Sequence, residues 1–505
     1  MENSTDAAGR ECSSKSSESN STGAGNRATL AFLLACACRE LFPEKTLFIE
    51  HSMSDGYYCH FGKGVRATER DVRLIAQTMI RYLESEVNIE LSKISGDEMS
   101  ERFSHEGRED KLAVLDSWRQ DPVPSIRFGG FVDYRFEPMT EEKSPLLSFE
   151  LEPYDAGFVL RLTPVEETGA LKPFVDAPKL YQIIKEHERW GRILGVSNIG
   201  ELNRLSRTGE IGEMIRVAEG LHEKKISQIA DGLCEDYPAK RVVLIAGPSA
   251  SGKTTFAKRL GIQLKVTGLS TLPVSMDNYF LDRDEMPVDE QGRREYESIT
   301  VLDVDALCDH ILRLLNSEPI PERIFDFSTG RGYETGRTIE IPEETFIILE
   351  GIHGLNPLFA ERVGKEKLQR IYVSALTQLN VDNEHRVSTA DNRLLRRLVR
   401  DNSFRGYSSG ETLSQWSRVR KGEEQNIFPY QEEAEFMFNS SLIYEIPVLA
   451  NLATSLLEGI PEGSDYFQEA QRLVTFLSFF TRIAPERIPE TSILREFIGG
   501  SGFDG

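Results

Sequence analysis

Residues 241–255 read RVVLIAGPSASGKTT. An apolar, β-branched run leads into a glycine-rich turn, and helix-compatible residues follow. Within it GPSASGKT, residues 247–254, matches Gly-x4-Gly-Lys-Ser/Thr in full. The glycines let backbone N–H groups curl around a phosphate, and a helix N-terminus adds positive potential. The pattern predicts a strand over 241–246, a helix over Thr255–Leu260, and a nucleotide held by Gly247, Ser249, Ala250, Ser251, Gly252, Lys253, Thr254 and Thr255. Lys253 would reach the β- and γ-phosphates, and Thr254 would ligate Mg²⁺. ATP and GTP fit such a loop alike, and the loop does not name the acceptor.

Outward from the loop, short buried strands recur at LPVSM (272–276), TFIILE (345–350) and RIYV (370–373), with helices between. That alternation predicts an α/β fold, a parallel sheet with helices on both faces. Asp277 follows the second strand, where a carboxylate can accept a hydroxyl proton or hold Mg²⁺ through water. Glu350 ends another strand and offers a second acid for the metal. Either could instead be a helix cap or loop acid. In NRLLRRLVRDNSFRG (392–406), Arg393, Arg396, Arg397 and Arg400 share one helical face. A lid closing arginines over transferring phosphates has this spacing; so does a solvated, salt-bridged helix.

At these residues the chain resembles the uridine kinase and phosphoribulokinase family over about 240–460. GPSASGKTTFAKRL, SMDNYF, IFDF, ILEGI and RLLRRLVRDNSFRG stand in the family's order. The resemblance implies transfer of the ATP γ-phosphate to a hydroxyl of a sugar-containing small molecule, with ATP and Mg²⁺ required. It puts Lys253, Asp277, Arg393 and Arg397 in catalytic roles, Thr254 and Glu350 at the metal, and the lid over Arg393 to Arg405. The acceptor pocket departs from the uridine kinase pattern. YESITVLD (296–303) has Glu297 at the acid position and no histidine, Phe325 replaces a tyrosine, and STGRGYETGR (328–337) lacks a base-contacting histidine. Losing a donor from a polar pocket shifts specificity strongly, so phosphoryl transfer carries over and uridine does not. The expected acceptor contacts are Asp277, Tyr279, Glu297, Phe325 and Arg331.

Upstream, residues 1–26 are Ser-, Asn- and Gly-rich and predict a disordered tail. RATLAFLLACACRELFP (27–43) reads as a buried helix ended by Pro43, and TLFIEHSMSDGYYCHF (46–61) as a hairpin turning at Ser54, Asp55 and Gly56. A helix capped by Thr68 and strands within 127–136 and 146–163 complete an α+β domain. This part resembles the editing module of threonyl-tRNA synthetase, through RATLAFLLACACRELFP, LFIEHSMSDGYYCHF and GFVDYRFEPM. Carried over one by one, that module's two histidines fall on Ala28 and Phe32, and its Cys and His on Arg135 and Met139. None of the four offers a metal-binding nitrogen or thiolate, so the editing chemistry is expected to be absent. The domain order resembles a bacterial group of uridine-kinase-like proteins fused to such a module.

The expected domains are the tail (1–26), the degenerate editing-like domain (27–165), a helical connector (166–238) and the kinase (239–505). His51, Cys59 and His60 invite a metal site, but alternation along a strand opposes Cys59 and His60. Cys36 and Cys38 lie about 200° apart on a helix and read as core residues. His353 is expected near the active centre as a satisfied loop histidine, and Trp416 as a packing residue.

The formal net charge of −22 in 505 residues would repel polyanions at long range, so general nucleic-acid binding is not expected. No run approaches the ~20 apolar residues of a membrane helix, and no signal-peptide core is seen. Six cysteines in this length suggest free thiols in a reducing, cytoplasmic setting. The expected partner is a small-molecule acceptor, with homo-oligomerisation left open. The alternatives are a phosphoribulokinase-like sugar-phosphate kinase, which needs an extra anion-binding Arg or Lys at the acceptor, and an ATP-binding regulator that recognises RNA.

Overall fold

The computed structural model describes residues 6–53, 55–62, 64–118, 120–162, 173–288 and 294–503, and for residues 6–22 the backbone course alone. The chain opens with α1 (Asp6–Leu41), β1 (Leu47–Met53), β2 (Gly56–Phe61) and α2 (Glu69–Glu84). There follow β3 (Ile89–Ile94), α3 (Gly96–His105), α4 (Glu109–Ser117), β4 (Val123–Phe128), β5 (Phe131–Tyr134), β6 (Phe149–Tyr154) and β7 (Gly157–Leu162). β1 and β2 form the expected antiparallel hairpin inside a sheet ordered β1-β2-β7-β6, while β3, β4 and β5 form a second antiparallel sheet. Ser54 of the expected turn lies outside the described residues. Thr68 caps α2 reciprocally: its hydroxyl accepts the Asp71 N–H at 3.2 Å, and the Asp71 carboxylate accepts the Thr68 N–H at 3.1 Å.

α1 begins well inside the stretch assigned to a disordered tail. Its buried half, from Leu30 to Cys38, supplies the nucleus, and adding turns to a formed helix costs far less than starting one. Cys36, Cys38 and Cys59 join one apolar core with Leu33, Ile75 and Phe158. His60 lies on the other side of β2, stacked on Phe48, and both His51 and His60 reach Glu50 at 3.5 Å.

Three helices come next: α5 (Pro178–Leu194), α6 (Ile199–Thr208) and α7 (Ile211–Glu235). The helical content is as the sequence predicts, and the helices pack into the core on either side. Leu202, Ile215, Ile226, Ile229 and Leu233 share one core with Val243, Ile245 and Phe256 of the half that carries the phosphate loop. Met99, Phe103, Val114 and Tyr134 of the front half enter the same core. Amphipathic helices must bury their apolar faces, and the sheet beside them is the available surface.

The second half runs β8 (Val242–Ala246), α8 (Lys253–Val266), β9 (Ser270–Ser275), α9 (Val304–Leu315), β10 (Ile320–Asp326), β11 (Arg331–Ile339), β12 (Thr345–Glu350), a short α10 (Pro357–Phe359) and β13 (Leu368–Ser374). It continues with α11 (Thr389–Arg400), α12 (Ser409–Asn426), β14 (Phe436–Asn439), α13 (Glu445–Glu458), α14 (Phe467–Leu477) and α15 (Arg495–Ile498). Five parallel strands form the sheet in the order β14-β13-β8-β12-β9, with the loop strand central. β14 and the β10–β11 hairpin went unread in the sequence. Four residues of β14 are too few for periodicity to register, β10 does not alternate cleanly, and β11 is largely exposed and polar. Among the described residues, no helix is long and apolar enough to cross a membrane.

A buried charge cluster joins the halves. Lys111 on α4 is fully buried and reaches Asp133 at 2.6 Å, Glu384 at 3.2 Å and Asp382 at 3.6 Å. Arg39 and Arg108 also pair with Glu384, at 2.5 and 3.1 Å, and Tyr134 donates to Asp382. Burial alone would raise the Glu384 carboxyl, but Arg39, Lys111 and Arg108 outweigh it and hold it far below the usual range. Lys111→Met should lower unfolding free energy by about 3–5 kcal/mol, because it strands buried carboxylates without their cation. Denaturant unfolding checks this, and a loss below about 1 kcal/mol would mean the cluster is solvated.

Candidate active site

The phosphate loop is built as its sequence requires. A Cβ at Gly247 would overlap the Val373 carbonyl oxygen, so the loop can pass under β13 only as glycine. Gly252 has φ +80° and Ala250 φ +58°, the left-handed turns that aim successive N–H groups at one point. α8 starts at Lys253, two residues before the expected Thr255, so the Lys253, Thr254 and Thr255 N–H groups form its open first turn.

The back of the loop is held by α11. Arg393 donates to the Ser249 carbonyl at 3.0 Å, Arg396 to the Ala250 carbonyl at 3.2 Å, and Arg397 to the Ser249 hydroxyl at 2.9 Å. Glu423 on α12 pairs with Arg393 and accepts the Ser249 N–H at 2.8 Å. Arg396 is wholly buried and pairs with Glu445 at 2.5 Å. The four arginines expected on one lid face therefore divide. Three grip the loop, because each buried guanidinium needs carbonyl or carboxylate acceptors that the loop and neighbouring helices provide. Arg400, from the fourth position, and Arg405 bear on Asp277 instead, and both line the open cleft in front of the loop, as Arg393 and Arg397 do.

Asp277 and Glu350 meet beside Lys253, because β9 and β12 are adjacent parallel strands with Ser275 opposite Glu350. The Ser275 hydroxyl donates to Glu350 at 3.1 Å. Burial raises both carboxyls above their ordinary range, and the Asp277 charge raises Glu350 further. Lys253, Arg405 and Arg400 pull Asp277 back down. Burial also lowers the Lys253 ammonium, against the opposing pull of Glu350, Asp277 and Glu496.

The outer cleft has an aromatic wall of Phe280, Phe325 and Phe327, with ring centroids 5.1 to 6.1 Å apart. Glu297 faces the cleft against Gly422 of α12, where a Cβ would collide with it. Tyr279 and Arg331 do not line it. The Tyr279 hydroxyl turns into the sheet's far core to meet His310 at 2.8 Å, and Arg331 is exposed at the start of β11. His353 also sits behind the cleft wall, and burial pushes its imidazole down to about 4. Trp416 lies half-buried under the Arg393 guanidinium at 5.3 Å, and Glu423 and Glu496 complete the loop's surroundings. Sequence reasoning missed both acids; an isolated Glu in a charged helix carries no pattern to find it by.

Burial, then repulsion by Glu423, pushes the Glu297 carboxyl up to about 7. The folded protein thus binds this proton more tightly than the unfolded chain. Stability from this group is full below the ordinary carboxyl range and is lost as pH rises towards 7. Glu297→Gln should therefore raise Tm at pH 8 and leave it nearly unchanged at pH 5. Thermal unfolding at the two pH values checks this, and equal shifts at both would refute it.

With this geometry in hand, the comparisons are direct. The model of the "Phosphoribulokinase / Uridine kinase family" matches residues 242–443. The uridine kinase of Bacillus velezensis is 32% identical over 197 residues, 39% of this chain and 84% of that protein. The uridine kinase of Bacillus subtilis gives the same identity and coverage. The solved structure of a possible uridine kinase from Bacillus stearothermophilus aligns over 43% of this chain and 98% of its own, at 19% identity and a TM-score of 0.29. The matched span runs from the loop strand through α11 to β14 and holds the two carboxylates and the arginines that grip the loop. The chain belongs to the phosphoribulokinase and uridine kinase family.

Proposed function

We propose that the chain is an ATP-dependent kinase that passes the γ-phosphate to a hydroxyl of a nucleoside or related pentose-containing small molecule. The observation that carries this reading is the juxtaposition of Asp277 and Glu350 with Lys253 at the open end of the phosphate loop. Lys253 and the loop N–H groups bind the phosphates. Asp277 accepts the proton of the attacking hydroxyl, and its raised carboxyl suits a base working near neutral pH. Arg400 and Arg405, which bear on Asp277, would face the transferring group together with Arg393 and Arg397, which line the same cleft. Arg393 and Arg397 also position the loop through Ser249.

Mg²⁺ fits the donors present. Among the described residues no set of three or more His, Cys, Asp or Glu could hold a metal alone, but Mg²⁺ is ordinarily held by one or two carboxylates together with substrate phosphates. Thr254, Glu350 and Asp277 would hold it, and it would neutralise charge developing on the phosphates.

A phosphorylated sugar is a second acceptor reading, because Arg283 and Arg294 line the aromatic side of the cleft. The front half is read as a degenerate editing-like module that serves the kinase structurally. Of the positions that align with that module's ligands, Phe32 is core and Met139 packs against that core. The buried cluster around Lys111 ties this half to the segment that leads into α11.

Lys253→Ala should abolish ATP-dependent phosphorylation while circular dichroism shows an intact fold, and undiminished turnover would sink the kinase reading. Asp277→Asn should lower kcat by about 10²–10⁴-fold. ATP consumption measured against nucleosides and against pentose phosphates separates the two acceptors.

A further inference from the structure

The first turn of α8 is already occupied. The Thr255 N–H and hydroxyl both donate to one oxygen of Glu496, at 3.1 and 2.8 Å. Glu496 sits on α15, beyond the residues matched by the family model. Its segment is firmly seated. Ile493, Leu494 and Phe497 are fully buried, Ile493 presses on Gly252 of the loop, and the Lys258 ammonium holds the Phe503 carbonyl at 2.8 Å. Phe497 also lies beneath the Arg396 guanidinium at 4.9 Å. The carboxylate therefore stands at the loop on a rigid base, with only its side chain free to swing. It lines the same cleft as Lys253, Thr254 and Glu350, and its charge is felt by both Lys253 and Glu350.

A helix's open first-turn N–H groups are what a phosphate takes when it binds at a helix N-terminus. A carboxylate on the third of them competes for the same donor. It also places negative charge where nucleotide phosphates would bring more. We infer that Glu496 is a further nucleotide-site residue: in the free protein its carboxylate fills part of the phosphate cradle, and nucleotide binding requires it to leave Thr255. The inference rests on the reading of this loop as the ATP site. Glu423, which holds the Ser249 N–H, is different in kind. It is wholly buried and locked to Arg393, so it belongs to the loop's fixed support.

The test is ATP·Mg²⁺ binding by calorimetry, with thermal unfolding in the absence and presence of saturating ATP. Glu496→Gln should tighten Kd by about five- to tenfold, because a neutral amide holds Thr255 less strongly and sets no negative charge against the phosphates. The variant should melt below the parent without ATP, its neutral amide being a weaker cap on α8 than the carboxylate, and the gap should close with ATP. Glu496→Asp retains the charge but falls short of Thr255, and should tighten Kd by a smaller factor. Unchanged or weaker binding, with the same Tm loss in both states, would make Glu496 a permanent helix cap and overturn the inference. If the parent itself fails to bind ATP, the reading of the loop as the nucleotide site falls, and this inference with it. Parent binding without a gain in either variant overturns the inference alone.

Discussion

The active centre depends on three arginines of α11 holding a loop that cannot hold itself. A phosphate loop aims its N–H groups inward, so its carbonyl groups point outward and need donors. Arg393 and Arg396 supply them at Ser249 and Ala250, and Arg397 takes the Ser249 side chain. Burying guanidinium groups is costly unless they are paired, and Glu423 and Glu445 provide the counter-charge. The loop's shape is thus set in part by residues more than 140 positions away along the chain.

The same helix links the loop to the rest of the protein. The segment before α11 carries Asp382 and Glu384, which are buried among Arg39, Arg108 and Lys111 of the front half. The front half also lends Phe103, Val114 and Tyr134 to the core on which the kinase sheet rests. Apolar side chains from both sides of the expected boundary at residue 165 therefore meet in one core. The two halves are physically one scaffold for the loop.

Much of this was legible beforehand. The loop, the parallel sheet, the hairpin of the front half and the Thr68 cap all rest on local patterns, which neighbouring residues settle among themselves. Asp277 and Glu350 were legible too, since ends of parallel strands in such a sheet converge. The arginine helix was legible as a face but not in its use. Spacing says which residues share a face, and only the acceptors opposite that face decide between a lid and a clamp. Tyr279 was misplaced for the same reason: its ring had two faces of the sheet to choose from and met His310 on the far one.

The sequence by itself determined the phosphate loop, the strand–helix alternation around it and the acids at the strand ends, because each is fixed by short-range spacing and backbone conformation. Only the tertiary structure decided which arginines bond the loop, that the front half shares the kinase core, and that Glu423 and Glu496 reach the loop. Those outcomes depend on contacts between residues far apart in the chain, where burial demands a partner for each charge and no local pattern records which partner arrives.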